Sequence, residues 1–128
     1  MEHKLTNENF AHYKHCCKAW IEKLGLKGWS MCYVFSDETE EPALKRNKAI
    51  IEMNRGGMVA TTFLNKKWEA IKPTQVEIEV CAFHEMLELL IHPLIVLSNA
   101  RFNVDELDIE YEKHRIIRTL ENTIFTER

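Results

Sequence analysis

The sequence lacks any excess of positive charge: its formal net charge at pH 7 is -3, and its basic pairs, at 45–46 and 66–67, are short. Nucleic acid is therefore not expected as a partner. The sequence also lacks an unbroken apolar run of the roughly eighteen residues that a membrane span needs. Because residues 1–4 are polar as well, neither a signal peptide nor a membrane partner is expected.

The cysteine spacing gives no disulfide framework. Cys16 and Cys17 are adjacent, and Cys32 and Cys81 lie in apolar surroundings typical of free buried thiols. This pattern predicts a reducing, cytoplasmic compartment. The chain of 128 residues contains no internal repeat, linker or low-complexity segment. One soluble globular domain spanning residues 1–128 is therefore expected, and its oligomeric state is left open.

Helical periodicity marks three segments of the chain. The first helix is expected over residues 6–24. A Thr-x-x-Glu pattern from Thr74 to Glu77 has the form of a capping box and predicts the start of a central helix. Pro93 is expected to end that helix, because proline lacks the N–H that a helix interior needs. A last helix is expected to open near Asp105 and to run to about residue 125.

Strand-forming residues occupy the region between the first two helices. Residues 29–35, 48–53 and 58–64 predict three strands, and the glycines of the 54–57 turn are expected to supply the positive φ of a tight hairpin. Residues 65–71 are expected to form a short helical turn or loop. The predicted fold class is therefore α+β: an N-terminal helix, a small three-stranded sheet, a central helix and a C-terminal helix.

Residues 80–91 are apolar except for three strongly polar side chains, His84, Glu85 and Glu88. Ionisable groups on a buried helix need partners or a metal ion. At roughly 100° per residue, His84 and Glu88 lie about 40° apart on the helix, one turn apart along its axis. Both can therefore reach a single ion, and this stripe is the predicted functional site.

The motif His84-Glu85-x-x-Glu88, within an apolar helix and followed by Pro93, resembles the active-site helix of small zincin-type metallopeptidases. These are the minimal gluzincin-like or SprT-like proteins often encoded by bacteriophages and mobile elements, and their motif is His-Glu-x-x-His. The segments around the motif are similar to that family in order and character. The resemblance implies a zincin-like domain in a host-cell cytoplasm, a metal-dependent hydrolase with a protein or peptide as its substrate.

The resemblance also implies roles for single residues. His84 and Glu88 would bind zinc; Mn²⁺ or Fe²⁺ are alternatives, because a carboxylate stands where the family has its second histidine. Glu85 would be the catalytic base that activates the water held by the metal. The third ligand would come from the last helix, with Glu110 as the first candidate. The other candidates are Glu106, Glu112 and His114.

Two other interpretations of the motif stay open. Glu88, in place of the second histidine, favours a catalytically inactive zincin-like domain that binds a protein partner. In the other interpretation no metal is bound, and His84 and Glu88 hydrogen-bond each other and the last helix through Lys113 or Arg118.

Further expectations concern the surroundings of the motif. Cys81 is expected to be a core thiol rather than a ligand, and His92 to interact with the dipole at the end of the helix. Strand 58–64 is the expected edge strand that would align an extended peptide by backbone pairing. His12, His15 and Cys16 are expected on a solvated face of the first helix, without an acidic or thiol partner to complete a metal site.

Overall fold

The computed structural model describes residues 2–54, 56–99 and 105–125. Three helices pack with two small sheets, which confirms the predicted α+β fold class. The core lies where α1 and α2 meet each other and the larger sheet, and its fully buried side chains include Tyr13, Leu64 and Met86. Each helix buries an apolar face that it could not shield from water without the neighbouring elements.

The helices are α1 (Asn7–Lys23), α2 (Gln75–Asn99) and α3 (Glu106–Ile124). The side chains of Thr6, Thr74 and Asp105 each accept a hydrogen bond from the backbone N–H three residues further on. These bonds satisfy donors that have no partner inside the helix. The starts predicted for the central and last helices are therefore confirmed.

The predicted end of the central helix at Pro93 is wrong, because α2 continues through Pro93 to Asn99. Proline removes one helical donor and crowds the carbonyl four residues before it. The residues that follow, among them Leu94, Val96 and Leu97, are half-buried. Burial of these side chains favours continuing the helix, so tertiary packing overrides the local effect of proline.

The larger sheet has the order β2 (Ser30–Ser36), β4 (Val59–Asn65), β3 (Ala49–Asn54). The predicted hairpin is confirmed, since β3 and β4 pair antiparallel, whereas β2 runs parallel to β4. β4 is therefore the central strand, with both edges paired. The expectation that strand 58–64 is the free edge is wrong, and β3 is the edge strand that contacts α2.

The turn of this hairpin differs from its prediction. Within the described part of the turn, Gly56 and Gly57 do not adopt a left-handed φ, and Met58 does, with φ 52°. The carbonyl of Met58 accepts a hydrogen bond of 2.8 Å from the backbone N–H of Ser30. The chain therefore turns at the point where β4 joins β2, and the expectation that the glycines supply the positive φ is wrong for the described residues.

A second sheet was not predicted. β1 (Glu2–Lys4) pairs antiparallel with β5 (Lys67–Glu69), with His3 opposite Trp68. The indole of Trp68 is 1% exposed and donates a 3.2 Å hydrogen bond to the carbonyl of Lys48. The helical turn or loop expected at 65–71 is therefore wrong. Three-residue strands are too short to show an alternating pattern. The partner of β5 is β1, more than sixty residues earlier in the chain.

α2 is long and apolar enough, by length and composition alone, to cross a membrane. The core helix of a soluble protein passes the same test, and such a helix by itself is weak evidence for a span. α2 packs against α1, β3 and α3 and carries His84, Glu85 and Glu88. α2 is therefore the central helix of the described fold.

Candidate metal centre

His84, Glu85 and Glu88 lie together on α2, as their spacing predicts. One imidazole nitrogen and two carboxylate oxygens from these residues all lie within 4.8 Å of one another. His84 and Glu88 are exposed and Glu85 is buried. The group therefore offers a cation two solvent-facing donors beside a buried carboxyl.

Glu85 has an unusual environment for a carboxyl group. Its side chain belongs to a residue that is 4% exposed, and its Oε2 has no hydrogen-bond partner among the described residues. Burial raises the pKa of Glu85 from 4.5 to about 9, and a hydrogen bond and the negative charge of Glu88 add to the rise. Without a cation, Glu85 is therefore protonated at neutral pH.

A cleft of about 340 Å³ opens beside this group. One wall is α2, with Cys81, His84 and Glu85, and the other is the segment that leads into β3, with Arg46 and Lys48. Both of these side chains are cationic. The group on α2 therefore faces positive charge across the cleft.

Asn65 holds the opposite wall of the cleft in place. Its Nδ2 donates to the carbonyls of Leu44 and Asn47, at 3.1 and 2.9 Å, and its Oδ1 accepts from the N–H of Lys67 at 3.0 Å. Asn65 is 7% exposed, so these bonds are shielded from water. No pattern in the sequence marks Asn65, because its partners are backbone groups.

The predicted third ligand does not join the group. The carboxylate of Glu110 on α3 pairs with Lys113 at 3.1 Å and with His114 at 3.4 Å. Glu112 pairs with Arg115 at 2.7 Å. The structure therefore brings together three of the four predicted site residues and leaves Glu110 in ion pairs within its own helix.

The alternative network through the last helix has other contacts. Lys113 donates to Glu110 at 3.1 Å, and Arg118 donates to the carbonyl of His114 at 3.4 Å. These bonds stay within α3 and do not reach the motif. α3 instead contacts α2 through Arg115, whose Nη2 donates to the carbonyl of Leu90 at 2.9 Å.

Cys81 and His92 lie near the motif but in different settings. Cys81 is 9% exposed, and burial raises the pKa of its thiol to about 11 although Lys48 opposes that rise. The thiol is therefore neutral at pH 7, as a core cysteine would be. The ring of His92 packs edge-on against Trp29, with 6.0 Å between ring centroids.

A buried polar chain supports the site from below. Tyr13 donates from its hydroxyl to Oγ1 of Thr62 at 2.5 Å, and Thr62 donates to the carbonyl of Ile50 at 3.0 Å. Tyr13 and Thr62 are fully buried, and burial raises the pKa of Tyr13 well above its ordinary value. These bonds connect α1 to β4 and β3, which fixes the sheet beneath α2.

Comparison with protein-family models, with curated proteins and with solved structures gives no match. The likeness to zincins therefore depends on the motif and on the order of elements alone.

Proposed function

We propose that the protein is a metal-dependent peptidase whose cation is held by His84 and Glu88 and whose proton-transfer group is Glu85. The observation that carries this proposal is the grouping of three ligand atoms within 4.8 Å, including a residue whose buried Oε2 lacks a partner, beside an open cleft. A buried carboxyl oxygen without a hydrogen bond is costly, by about 1–3 kcal/mol, and a nearby cation would offset that penalty.

The donor atoms fit a divalent transition metal. One imidazole and carboxylate oxygens are ligands that zinc accepts, and a larger share of oxygen moves the preference toward Mn²⁺ or Fe²⁺. When bound, such an ion supplies Lewis-acid chemistry, which activates water and polarises a peptide carbonyl. Because Glu110 is held in ion pairs on α3, the proposal assigns ligand roles only to His84 and Glu88.

Glu85 has the properties that proton transfer requires. Its carboxyl is buried beside the other two ligand groups, and its pKa is raised to about 9. Glu85 therefore keeps its proton at neutral pH, and a neighbouring positive charge would lower that pKa. In the proposed reaction the pKa of Glu85 would first fall beside a bound cation, so that its proton passes to solvent. The carboxylate would then accept a proton from the attacking water and return it to the leaving amine. Both transfers use the same carboxyl, as general acid–base catalysis allows.

The edge of β3 provides a means of binding an extended peptide. Ala49 of β3 also lines the cleft, and β3 pairs only with β4 within the described residues. Its other edge can therefore add a peptide strand by backbone hydrogen bonds, which would bring a peptide bond alongside the motif. We extend the proposal to a cytoplasmic setting, because the four cysteines are free thiols and such thiols persist in reducing compartments.

One observation favours a second function. Because Glu110 lies outside the group, the motif has fewer protein ligands than the three that catalytic zinc sites use. A catalytically inactive zincin-like domain that binds a protein through the cleft and the β3 edge is therefore the second candidate. A phage or mobile-element origin would suit such a small binding domain.

The test begins with metal content. Untagged protein with Cys16→Ser, which removes a separate thiol site described below, is loaded with Zn²⁺, dialysed and measured by elemental mass spectrometry. We expect about one equivalent, lost on adding Glu88→Ala and kept on adding Glu8→Ala, a matched exposed glutamate on α1. Glu110→Ala is expected to keep the metal as well. Loss of the metal in this variant would show that Glu110 is a ligand.

The second step measures peptide cleavage with the loaded protein and a mixed peptide library. Cleavage that disappears in Glu85→Gln, while metal content is kept, supports the peptidase. One bound metal with no cleavage supports the inactive binding domain instead. No metal at this motif under any loading condition would sink the metallopeptidase proposal.

A further inference from the structure

A second group of ligand atoms joins α1 to α2. His12 and Cys16 lie one turn apart on α1, and Glu79 approaches them from α2. The Nε2 atom of His12 lies 3.8 Å from Sγ of Cys16 and 3.8 Å from Oε2 of Glu79. The three ligand atoms all lie within 4.8 Å of one another, so the imidazole stands between a thiol and a carboxylate from different helices.

We infer that His12, Cys16 and Glu79 form a separate site for a zinc-class divalent cation. Zinc bonds of about 2.0–2.3 Å at tetrahedral angles put neighbouring donor atoms about 3.3–3.7 Å apart. The separations of 3.8 Å between His12 and its two neighbours approach these values, so small side-chain rotations bring the donors into place around one ion.

The donor set selects the class of cation. Sulfur and imidazole nitrogen favour Zn²⁺ or Co²⁺ over Mg²⁺ and Ca²⁺, which prefer oxygen ligands alone. On binding, the Sγ–H bond of Cys16 breaks, its proton passes to solvent, and the sulfur, one ring nitrogen of His12 and one carboxylate oxygen of Glu79 bond to the ion. Nothing is oxidised or reduced.

Burial gives the site a closed inner side and an open outer side. Cys16 is 9% exposed, whereas the side chains of His12 and Glu79 are 28% and 51% exposed. An ion can therefore enter from solvent, and its fourth position faces water. Three protein ligands from two helices would also join α1 to α2 and stabilise their packing, as metal binding stabilises the state that holds the ligands.

The sequence showed two of the three ligands of this site. His12 and Cys16 have the i, i+4 spacing of metal ligands, and a solvated face without a third partner was expected for them. That expectation is wrong, because Cys16 is buried and Glu79 supplies the partner from another helix. The site is also separate from the motif: at about 100° per residue, Glu79 lies roughly 120–180° around α2 from His84, Glu85 and Glu88.

Cobalt provides a direct test, because a thiolate bound to Co²⁺ gives a charge-transfer band in the near ultraviolet that oxygen and nitrogen ligands do not give. The full chain, reduced and free of metal, is titrated with Co²⁺ alone. We expect the band to appear and to be lost in Cys16→Ser. The matched control is Cys32→Ser, which removes an exposed free thiol and should leave the band unchanged.

Three further variants locate the band. His12→Gln and Glu79→Gln keep the thiol and should weaken Co²⁺ binding by about tenfold or more, since loss even of outer-shell partners commonly costs that much. Glu88→Gln alters only the motif and should leave the band intact. This last variant separates the present inference from the proposed function, since either site can fail without the other.

Thermal unfolding with and without Zn²⁺ shows whether each variant is folded. The midpoint of the unaltered chain should rise with Zn²⁺ concentration, and that of folded Cys16→Ser should rise less. Absence of the cobalt band in the unaltered chain overturns the inference. A band that survives Cys16→Ser and disappears in Cys81→Ser also overturns it, because the thiolate then belongs to the cleft beside His84.

Discussion

Arg115 of α3 donates a hydrogen bond of 2.9 Å from its Nη2 to the backbone carbonyl of Leu90 in α2. Leu90 lies in the turn that precedes Pro93, where proline disturbs the helical hydrogen bonds. The same guanidinium bonds Glu112 through Nε at 2.7 Å. A side chain from α3 therefore bonds the carbonyl next to that of Leu89, which is the carbonyl that Pro93 leaves without a helical donor.

Replacing Arg115 by alanine should lower the free energy of unfolding by about 1–3 kcal/mol, because a charged donor to a partly buried carbonyl is lost. Pro93→Ala restores the helical donor to the carbonyl of Leu89, next to Leu90, and should reduce the effect of Arg115→Ala in a double-mutant cycle. Chemical denaturation of the four proteins gives the coupling energy. The comparison variant is Arg118→Ala, whose bond stays within α3; strict additivity at 93 and 115 would contradict the link.

The stability of the metal-free protein should depend on the ionisation of Glu85. Because its folded-state pKa of about 9 exceeds the ordinary value of 4.5, the folded state holds a proton that the unfolded state releases between these values. The contribution of Glu85 is fully present below about pH 4.5 and is lost as pH rises toward 9. We expect a fall of up to about 6 kcal/mol across this range.

Glu85→Gln removes the titration and should flatten the stability profile between pH 5 and 9, as measured by urea unfolding in a chelating buffer. The free energy of unfolding of the variant should increase relative to that of the unaltered protein as pH rises. Glu106→Gln, an exposed carboxyl on α3, is the matched control and should reproduce the parent profile. An unchanged slope in Glu85→Gln would show that another group titrates.

Tyr13→Phe removes the hydroxyl that connects α1 to Thr62. Thr62 keeps its own bond to the carbonyl of Ile50, so the loss is confined to one buried hydrogen bond. We expect a cost of about 1–2 kcal/mol in unfolding free energy. Tyr111→Phe, at a site that is 64% exposed, should cost close to nothing in the same urea titration, and equal effects at both sites would contradict this account.

Asn65→Ala removes the side chain that holds the wall of the cleft opposite α2. Two donors and one acceptor are lost at a buried position, which should cost about 2–4 kcal/mol because the freed backbone groups stay shielded. Hydrogen exchange should then quicken at residues 44–48 before it quickens in α2. Asn7→Ala, an exposed asparagine at the start of α1, is the control for asparagine loss in general.

The sequence predicted those parts of the fold whose signals are local. Helix starts at Thr74 and Asp105 follow from side chains that cap the next turn, and the β3–β4 hairpin follows from two strand-forming segments around a short turn. The path of α2 beyond Pro93 depends on the burial of residues such as Leu94, Val96 and Leu97, which no local pattern encodes. The pairing of β1 with β5 likewise joins segments far apart in the chain.

The same distinction applies to the two candidate sites. His84, Glu85 and Glu88 were found because helical spacing alone brings them together. Glu110 was predicted from its place on an acidic helix. Its carboxylate instead contacts Lys113 and His114, and the spacing of residues in the sequence does not reveal which partner a carboxylate takes. Glu79 was missed for the opposite reason, since only the packing of α1 on α2 brings it to His12.

The pairing of His3 with Trp68 has a consequence for the time course of folding. The β3–β4 hairpin closes a short loop, whereas β1 must wait until β5 exists and must then close a loop of most of the intervening chain, which is entropically slower. Among the described strands, β1 is therefore synthesised before its partner and is among the last to pair. Until β1 pairs with β5, Trp68 has no strand partner. Its indole can then be exposed to chaperones that bind apolar side chains.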